Sequence, residues 1–586
     1  MSSLPDIEIV LAVDVGSVNT RASLFDVVDG RYRLVATSEA NSTVGPPLFD
    51  LGEGVRLAMD QVQKITGRRM VDESETLIIP ATGYGAGVDL FVSSISAGPK
   101  VKTILAGLMP GISMISAQRL AESAYLDIVG EIHLVDQRLA EEQVDLIVTQ
   151  QPDLILVVGG TDGGASEPLF QLIELIKLAV GLLPESQRPR VVFSGNRSLG
   201  ALVVDRLSGV TTVDVTPNIR PSLEKEDLAP ARLRLAETLF EIRASRITGY
   251  EELRQWSGGA MIPTAEAFGR LIRYLSKIYD PDKGVLGVDL GASQVTIAVA
   301  FEGELNLSVN SHLGAGASIL GLFEEGDISK VLRWLPHEMS EARLKDYIYN
   351  KSIRQATVPT TVEELHTELA ISRQLVRQAL FKARQTWPEG KNTSSNLLLP
   401  HVEPILAGGA SIARAPKPAY STLVLLDALQ PTGISTIVMD PYSLAPTLGA
   451  TAGPLPLASV QLLEAGVFVS TGTVVSPVVK GRPRRNVMSY EMEYEDGSSG
   501  KSGEVTFGQI EVLPLAQGEY ARLTLNPERG VDLGFGAGGR AGTLRVAGGT
   551  LGVILDARGR PLMLPKDIGL QRELNERWLW EIGALE

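Results

Sequence analysis

The chain has 586 residues, with 54 Lys and Arg against 69 Asp and Glu, a formal charge of −15 and no cysteine. A hydrophobic share of 44% and a charged share of 21% describe a globular protein with room for roughly three to four domains. The acidic balance, without a basic block, argues against broad nucleic-acid binding, and the lack of cysteine excludes disulfides, thiolate zinc sites, iron–sulfur clusters and a cysteine nucleophile.

The start, Met1 to Asp6, has neither a basic nor an apolar targeting region, and no run approaches the ~20 apolar residues of a membrane span. A cytoplasmic protein is expected. Residues 10–38 read as a meander of three strands: an apolar run ending in Asp14, a turn through Gly16, Ser17, Asn19 and Thr20, and a hairpin marked by Asp29-Gly30 before Arg31–Ser38. Between 46 and 67, Val55, Met59 and Val62 recur at helical spacing. Glu75–Ala81 is expected to be a buried strand running into the loop Thr82-Gly83-Tyr84-Gly85.

From about Leu90 to Val215 strands (Val101–Leu105, Glu131–Val135, Leu154–Val158, Arg190–Phe193, Thr212–Val215) alternate with helices (Ser116–Val129, Gln137–Gln150, Glu167–Leu182). Such alternation predicts an inserted parallel α/β domain. Its loops Gly159-Gly160-Thr161-Asp162-Gly163-Gly164 and Ser194-Gly195-Asn196 fall at carboxyl ends of strands, where open parallel sheets bind ligands. The same glycines would also serve plain strand-to-helix turns, and both readings stay open. Residues 222–280 read as a helical connector.

A second meander follows: Val285 to Asp289, a turn through Gly291, Ala292, Ser293 and Gln294, and a hairpin at Glu302-Gly303. His312-Leu313-Gly314-Ala315-Gly316 leads into residues 317–388, rich in Glu and Arg, read as a solvated helical subdomain. Leu397 to Leu406 is an apolar strand feeding Ala407-Gly408-Gly409-Ala410. From Pro454 short Val, Ile and Thr segments between glycine turns predict a C-terminal β-rich domain, with a barrel as one form, closed by a helix at Leu570–Ile582. The glycines at 534–539 precede no helix and so form no dinucleotide fingerprint. The expected boundaries are 1–88, 89–216, 217–283, 284–453 and 454–586.

The two meander turns carry the chemistry. Glycine lets backbone N–H groups approach a ligand, and hydroxyls add donors, which makes an anion site suited to phosphates. A carboxylate beside such a turn needs an intervening cation, so Asp14 and Asp289 are natural ligands of hydrated Mg²⁺. One Asp-x-Gly alone is an ordinary turn, but two, each with a matched downstream hairpin, predict a pair of related half-domains gripping a nucleotide. The five histidines, His133, His312, His337, His366 and His401, show no metal-ligand spacing.

The order of hairpin with Asp, second hairpin with Asp, then strand-Gly-Gly resembles the phosphate-1, phosphate-2 and adenosine motifs of the actin, sugar-kinase and heat-shock-chaperone ATPase superfamily. Within it the chain resembles the glutamate mutase accessory proteins called MutL or GlmL. The residues that carry this are 159–164, 194–196, Asn218–Pro221, Ile262-Pro263-Thr264, Leu425–Gly433 and Gly548–Leu562. The resemblance implies an α/β fold with a duplicated ribonuclease-H-like (actin-like ATPase) core. It also implies ATP and Mg²⁺ as cofactors and a role as accessory or reactivating chaperone for an adenosylcobalamin-dependent aminomutase.

On that resemblance Gly16, Ser17, Asn19 and Thr20 match the first phosphate loop, Gly291, Ala292 and Ser293 the second, and Gly408, Gly409 and Ala410 the adenosine turn. Asp14 and Asp289 take catalytic and metal-holding roles. Gln294-Val295-Thr296 stands where many members have Thr-Thr-Asp, which points away from fast hydrolysis. Gln294 orienting a water and Asp162 reaching in from the insert stay open as catalytic alternatives. No Asp-x-His-x-x-Gly appears, so the lower-ligand motif of a cobalamin-binding domain is absent from the sequence. The partner implied is a mutase subunit, with a homo-oligomer left open and neither nucleic acid nor membrane expected. A small-molecule kinase of the same superfamily and a non-hydrolysing actin-like scaffold are the alternatives.

Overall fold

The structure is a computed structural model and describes residues 7–83, 85–164, 166–325, 328–387, 399–479, 486–535 and 539–585. The start Met1–Asp6, Tyr84, Leu397, Leu398 and residues 536–538 of the glycine run lie outside the described residues. The chain divides into two compact units, one of residues 1–39, 58–94 and 266–586, the other of 40–57 and 95–265.

The first unit contains the same strand order twice. In one sheet the order is Arg31–Asn41, Asn19–Val28, Val10–Val15, Leu90–Ile95; in the other it is Glu304–Asn310, Val295–Phe301, Gly284–Leu290, Val402–Gly408, Gly433–Met439. This is the duplicated ribonuclease-H-like core. Each meander folds as its turns dictate. Asp29 and Gly30 have φ of 52° and 75°, and Glu302 and Gly303 have 52° and 86°, the positive pair that a two-residue hairpin turn of matching twist requires.

The expected strand at Glu75–Ala81 does not form. Its residues make isolated bridges, and Glu75, Thr76, Ile79 and Pro80 are exposed. The place beside Val10–Val15 belongs to Leu90–Ile95, whose Phe91 to Ile95 are all buried. Pro80 lacks the N–H a central strand must donate, which demotes the Leu77–Ile79 run.

The second unit is built on a five-stranded parallel sheet in the order Leu126–His133, Val101–Gly107, Leu154–Val157, Arg190–Phe193, Val213–Val215, the predicted α/β insert. Apolar clusters cover both of its faces. The predicted helix at Ser116–Val129 is shorter, Ile115–Glu122, and the following strand begins at Leu126. β-Branched Ile128 and Val129 favour the strand.

Two readings of the first unit are corrected. The C-terminal segments do not close a barrel. Val469–Ser476, Gly552–Asp556 and Ile510–Leu513 extend the sheet of the second half, and four strands (Lys501–Thr506, Asn486–Tyr494, Tyr520–Pro527, Gly542–Ala547) form an antiparallel sheet sharing an apolar core with that extension. Residues 317–388 are not a solvated subdomain either. The helix Val362–Gln385, begun by a Thr361–Glu364 capping box, is buried on every side from His366 to Val376. Its charges are tolerated because they are paired: Lys351 meets Glu368 at 2.8 Å, and Arg373 meets Asp427 at 2.7 Å.

Asp427, on the helix Pro418–Leu429, also accepts from Arg558 at 2.6 Å, and Arg558 and Arg560 both hold Asp556. Arg560 further donates to the Pro431 carbonyl and to Ser476. Charges buried to this depth are stable only as a fully bonded set. Asp427→Ala is expected to lower stability by about 3–5 kcal/mol, because it strands two buried guanidinium groups. Urea unfolding checks this, and a loss under about 1 kcal/mol would show that the network is dispensable.

Candidate functional site

Both meander turns have one design. Asp14 pairs in register with Arg21 and Val15 with Thr20; Asp289 pairs with Thr296 and Leu290 with Val295. The turns close with Gly16 N–H donating to Asn19 at 3.0 Å and Gly291 N–H donating to Gln294 at 2.9 Å. Superposed by register, Asp14 corresponds to Asp289, Gly16 to Gly291 and Asn19 to Gln294, so a carboxamide occupies the same turn position twice. A Cβ on Gly16 would lie 2.9 Å from the Asn19 carbonyl, and one on Gly291 3.1 Å from that of Gln294. Glycine is what allows both turns to fold so tightly.

The turns meet. The Ser293 hydroxyl donates to the Ser17 hydroxyl across 276 residues of sequence. The loop after the second meander straps its turn from behind: Ala315 N–H donates to Gly291 at 2.9 Å, Gly316 N–H to Ala292 at 2.9 Å, and Ser318 Oγ to the Ser293 carbonyl at 2.7 Å. Glu39 ties the first turn down, accepting from Asn19 and from Arg21 Nε at 3.0 Å. It also pairs with Arg414 at 2.7 Å, just beyond the Gly408-Gly409-Ala410 turn.

Beneath the turns lie three carboxylates. Asp14 is buried and accepts from Ser94 Oγ at 2.6 Å. Asp289 lies on the neighbouring strand end, in register with Gly408, and its pKa is pushed up to about 7 by burial first, then by the charges of Asp14 and Asp440, with Arg21 pulling the other way. Asp440 is pushed up to about 6 by burial and Asp14, against the helix-capping N–H groups of Ala445 at 2.7 Å and Leu444 at 2.8 Å and the charge of Arg21. Among the described residues no three acidic or imidazole groups are near enough to ligate one ion directly.

Two buried polar atoms at the turns, Thr20 Oγ1 and Gln294 Oε1, have no hydrogen-bond partner among the described residues, while Gln294 Nε2 makes only a 3.5 Å contact to Thr296. Such atoms are costly unless something satisfies them. The glycines of the third turn have packing reasons: a Cβ on Gly408 would lie 3.0 Å from Asp289 Oδ1, and one on Gly409, at φ 90°, 2.1 Å from the Leu290 carbonyl. They let the strand Val402–Gly408 lie hard against the second Asp. Asp162, the alternative from the insert, is engaged within its own unit by Asn218 Nδ2 and the Arg197 N–H, each at 2.9 Å.

The structure thus brings Asp14, Gly16, Ser17, Asn19, Thr20, Asp289, Gly291, Ala292, Ser293, Gln294 and Gly408 into two joined hairpins and the strand beside them. It adds Asp440, Ser94, Arg21 and Glu39, which sequence reasoning missed. Asp440-Pro441 reads as an ordinary turn, and the one signal available was that an Asp again ends an apolar strand, Gly433–Met439.

Comparison with known proteins finds the family model described as MutL protein matching residues 10–467. "Protein MutL" of Clostridium tetanomorphum is 23% identical over 301 residues, covering 47% of this chain and 62% of that protein, so the chain spans about three fifths of that relative's length. Among solved structures, an acetone carboxylase in nucleotide-free form is similar at TM-score 0.33 and 11% identity, covering 85% of this chain and 81% of that one. A nucleotide-free diol dehydratase-reactivating factor is similar at TM-score 0.29 and 11% identity, covering 78% and 99%. At such scores the structural likeness carries no functional weight.

The raised pKa of Asp289 sets a pH test. In the folded chain Asp289 keeps a proton from its ordinary 3.8 up to about 7, where the unfolded chain has lost it, so its contribution to stability falls as pH rises through that window. Asp289→Asn is therefore expected to be more stable than wild type at pH 8.5 in chelator, with the advantage shrinking toward pH 5. Thermal melts across that range check it, and a difference independent of pH would contradict the burial of a titrating carboxyl at this position.

Proposed function

The chain belongs to the MutL protein family, and from that membership and from two facing hydroxyl-bearing turns over a carboxylate floor we propose that it binds ATP with Mg²⁺ and serves as accessory or reactivating chaperone to an adenosylcobalamin-dependent aminomutase such as glutamate mutase. The Ser17–Ser293 contact carries the reading, because it joins the two turns that would share one triphosphate. The unsatisfied Thr20 hydroxyl and Gln294 carbonyl supply waiting partners for a phosphate-bound ligand and its water, and they fit the group.

In this reading Gly16, Ser17, Asn19 and Thr20 hold one end of the phosphate chain and Gly291, Ala292 and Ser293 the other, with Gly408, Gly409 and Ala410 beside the nucleoside. Asp14 and Asp289 hold Mg²⁺ through its own water shell, which suits carboxylates set too far apart to chelate directly. When bound, the ion neutralises phosphate charge and relieves the mutual repulsion of the three carboxylates. Gln294 orients a water by its carboxamide. With Thr296 opposite Asp289 in register, that strand offers no carboxylate there as a strong base, so turnover is slow.

Equilibrium binding of ATP·Mg²⁺ to the full chain is expected with a dissociation constant on the order of micromolar. Asp14→Ala should weaken it by at least ~100-fold, and unaltered affinity would remove the metal role. Pull-down with the purified chain should retain an aminomutase subunit in an ATP-dependent manner. ATP consumption that begins only on adding a particular metabolite would instead identify a small-molecule kinase.

A further inference from the structure

Away from the hairpins, one face of the helix Val362–Gln385 carries His366, Arg373 and Arg377, which at 100° per residue fall within about 40° of one another. The segment 333–337 lies along it. The Arg333 guanidinium sits 4.8 Å from the Trp334 ring centroid, the Arg373 guanidinium 6.0 Å from the same ring, and the rings of His337 and His366 stack at 6.1 Å. Trp334, His366 and Arg373 are buried; Arg333, His337 and Arg377 are half-buried, leaving an approach from solvent.

The nearby acids are already used. Both oxygens of Asp427 accept from guanidinium groups, one from Arg373 and one from Arg558, and both oxygens of Asp556 are held by Arg558 and Arg560. Glu581, on the far side of Arg558, serves Arg577 and the Ile510 N–H. Three guanidiniums thus engage two carboxylates, and Arg333 and Arg377 add positive charge with no ion pair of their own among the described residues. Arginine does not shed its proton to escape such a position.

The hydrogen-bond inventory agrees. Arg333 Nε, Trp334 Nε1, Arg377 NH1, both ring nitrogens of His337 and His366 Nε2 are buried and have no partner among the described residues. Indole and guanidinium N–H groups only donate, so what they lack is an acceptor. Water would accept but leave the charge standing. We infer that Arg333, Trp334, Arg373 and Arg377, with His337 and His366 at the upper end, form a binding site for an oxyanion, the phosphate or carboxylate group of a small ligand. Burial and the charge of Arg333 together hold the Arg377 pKa down to about 10, as expected of a cation waiting for a counter-charge.

The test is thermal unfolding of the full chain in sodium phosphate or sodium succinate, with ionic strength matched by chloride. One of the two anions should raise Tm saturably by roughly 2–4 °C, phosphate marking a phosphoryl ligand and succinate a carboxylate. Arg377→Gln and Arg333→Gln should abolish the rise, while Thr20→Val, at the hairpins, should keep it. In chloride alone Arg377→Gln should be at least as stable as wild type, since it removes an uncompensated charge. Equal rises in wild type and Arg377→Gln, loss of the rise in Thr20→Val alone, or no response to either anion would overturn the site.

Discussion

Three carboxylates in one buried place are the constraint around which the first unit is arranged. Asp14, Asp289 and Asp440 each end a strand of the duplicated core, and each feels another's charge strongly enough to move the pKa of Asp289 to about 7 and that of Asp440 to about 6. Nothing in the stability of the fold calls for this. Apolar residues at the same strand ends would cost less. The surrounding structure absorbs the cost locally: Ser94 bonds Asp14, two backbone N–H groups cap Asp440, and Arg21 lends its charge to Asp289 and Asp440. Strain of this kind, compensated on three sides and retained, is what a cation-dependent site looks like before its cation arrives.

The hairpins were legible because local rules suffice for them. Period-two strands, glycine after Asp, and Asp29-Gly30 and Glu302-Gly303 at positive φ determine each meander without reference to the rest of the chain. The alternating insert was legible for the same reason. Failures came where tertiary contact decides. Leu77–Ile79 is as apolar as Leu90–Ile95, and only the neighbouring strand's choice of partner separates them. Residues 362–385 look solvated because their charges are counted singly, whereas in the fold Arg373 and Glu368 are each matched to an opposite charge. Asp440 needed the sheet order before its proximity to Asp14 could be seen.

The paired network also explains why the C-terminal region belongs to the core. Read along the sequence, residues after 454 change character and suggest an appended domain. In the structure the strand Val469–Ser476 pairs with Gly433–Met439 and, on its other edge, with Gly552–Asp556, so the sheet that carries Asp289 and Gly408 runs on into the C-terminal strands. Asp556 ends that last strand and is held by Arg558 and Arg560, while Arg558 reaches back to Asp427 on the helix that covers the same sheet. The Gln430 carbonyl accepts from the Leu562 N–H in the same manner. A region bonded to the core through buried charges cannot swing away without exposing them, because each unpaired ion in that interior costs several kcal/mol. Its strands therefore fix the sheet from the edge opposite the second meander, and the positions of Asp289 and Gly408 depend on residues more than a hundred places further along the chain.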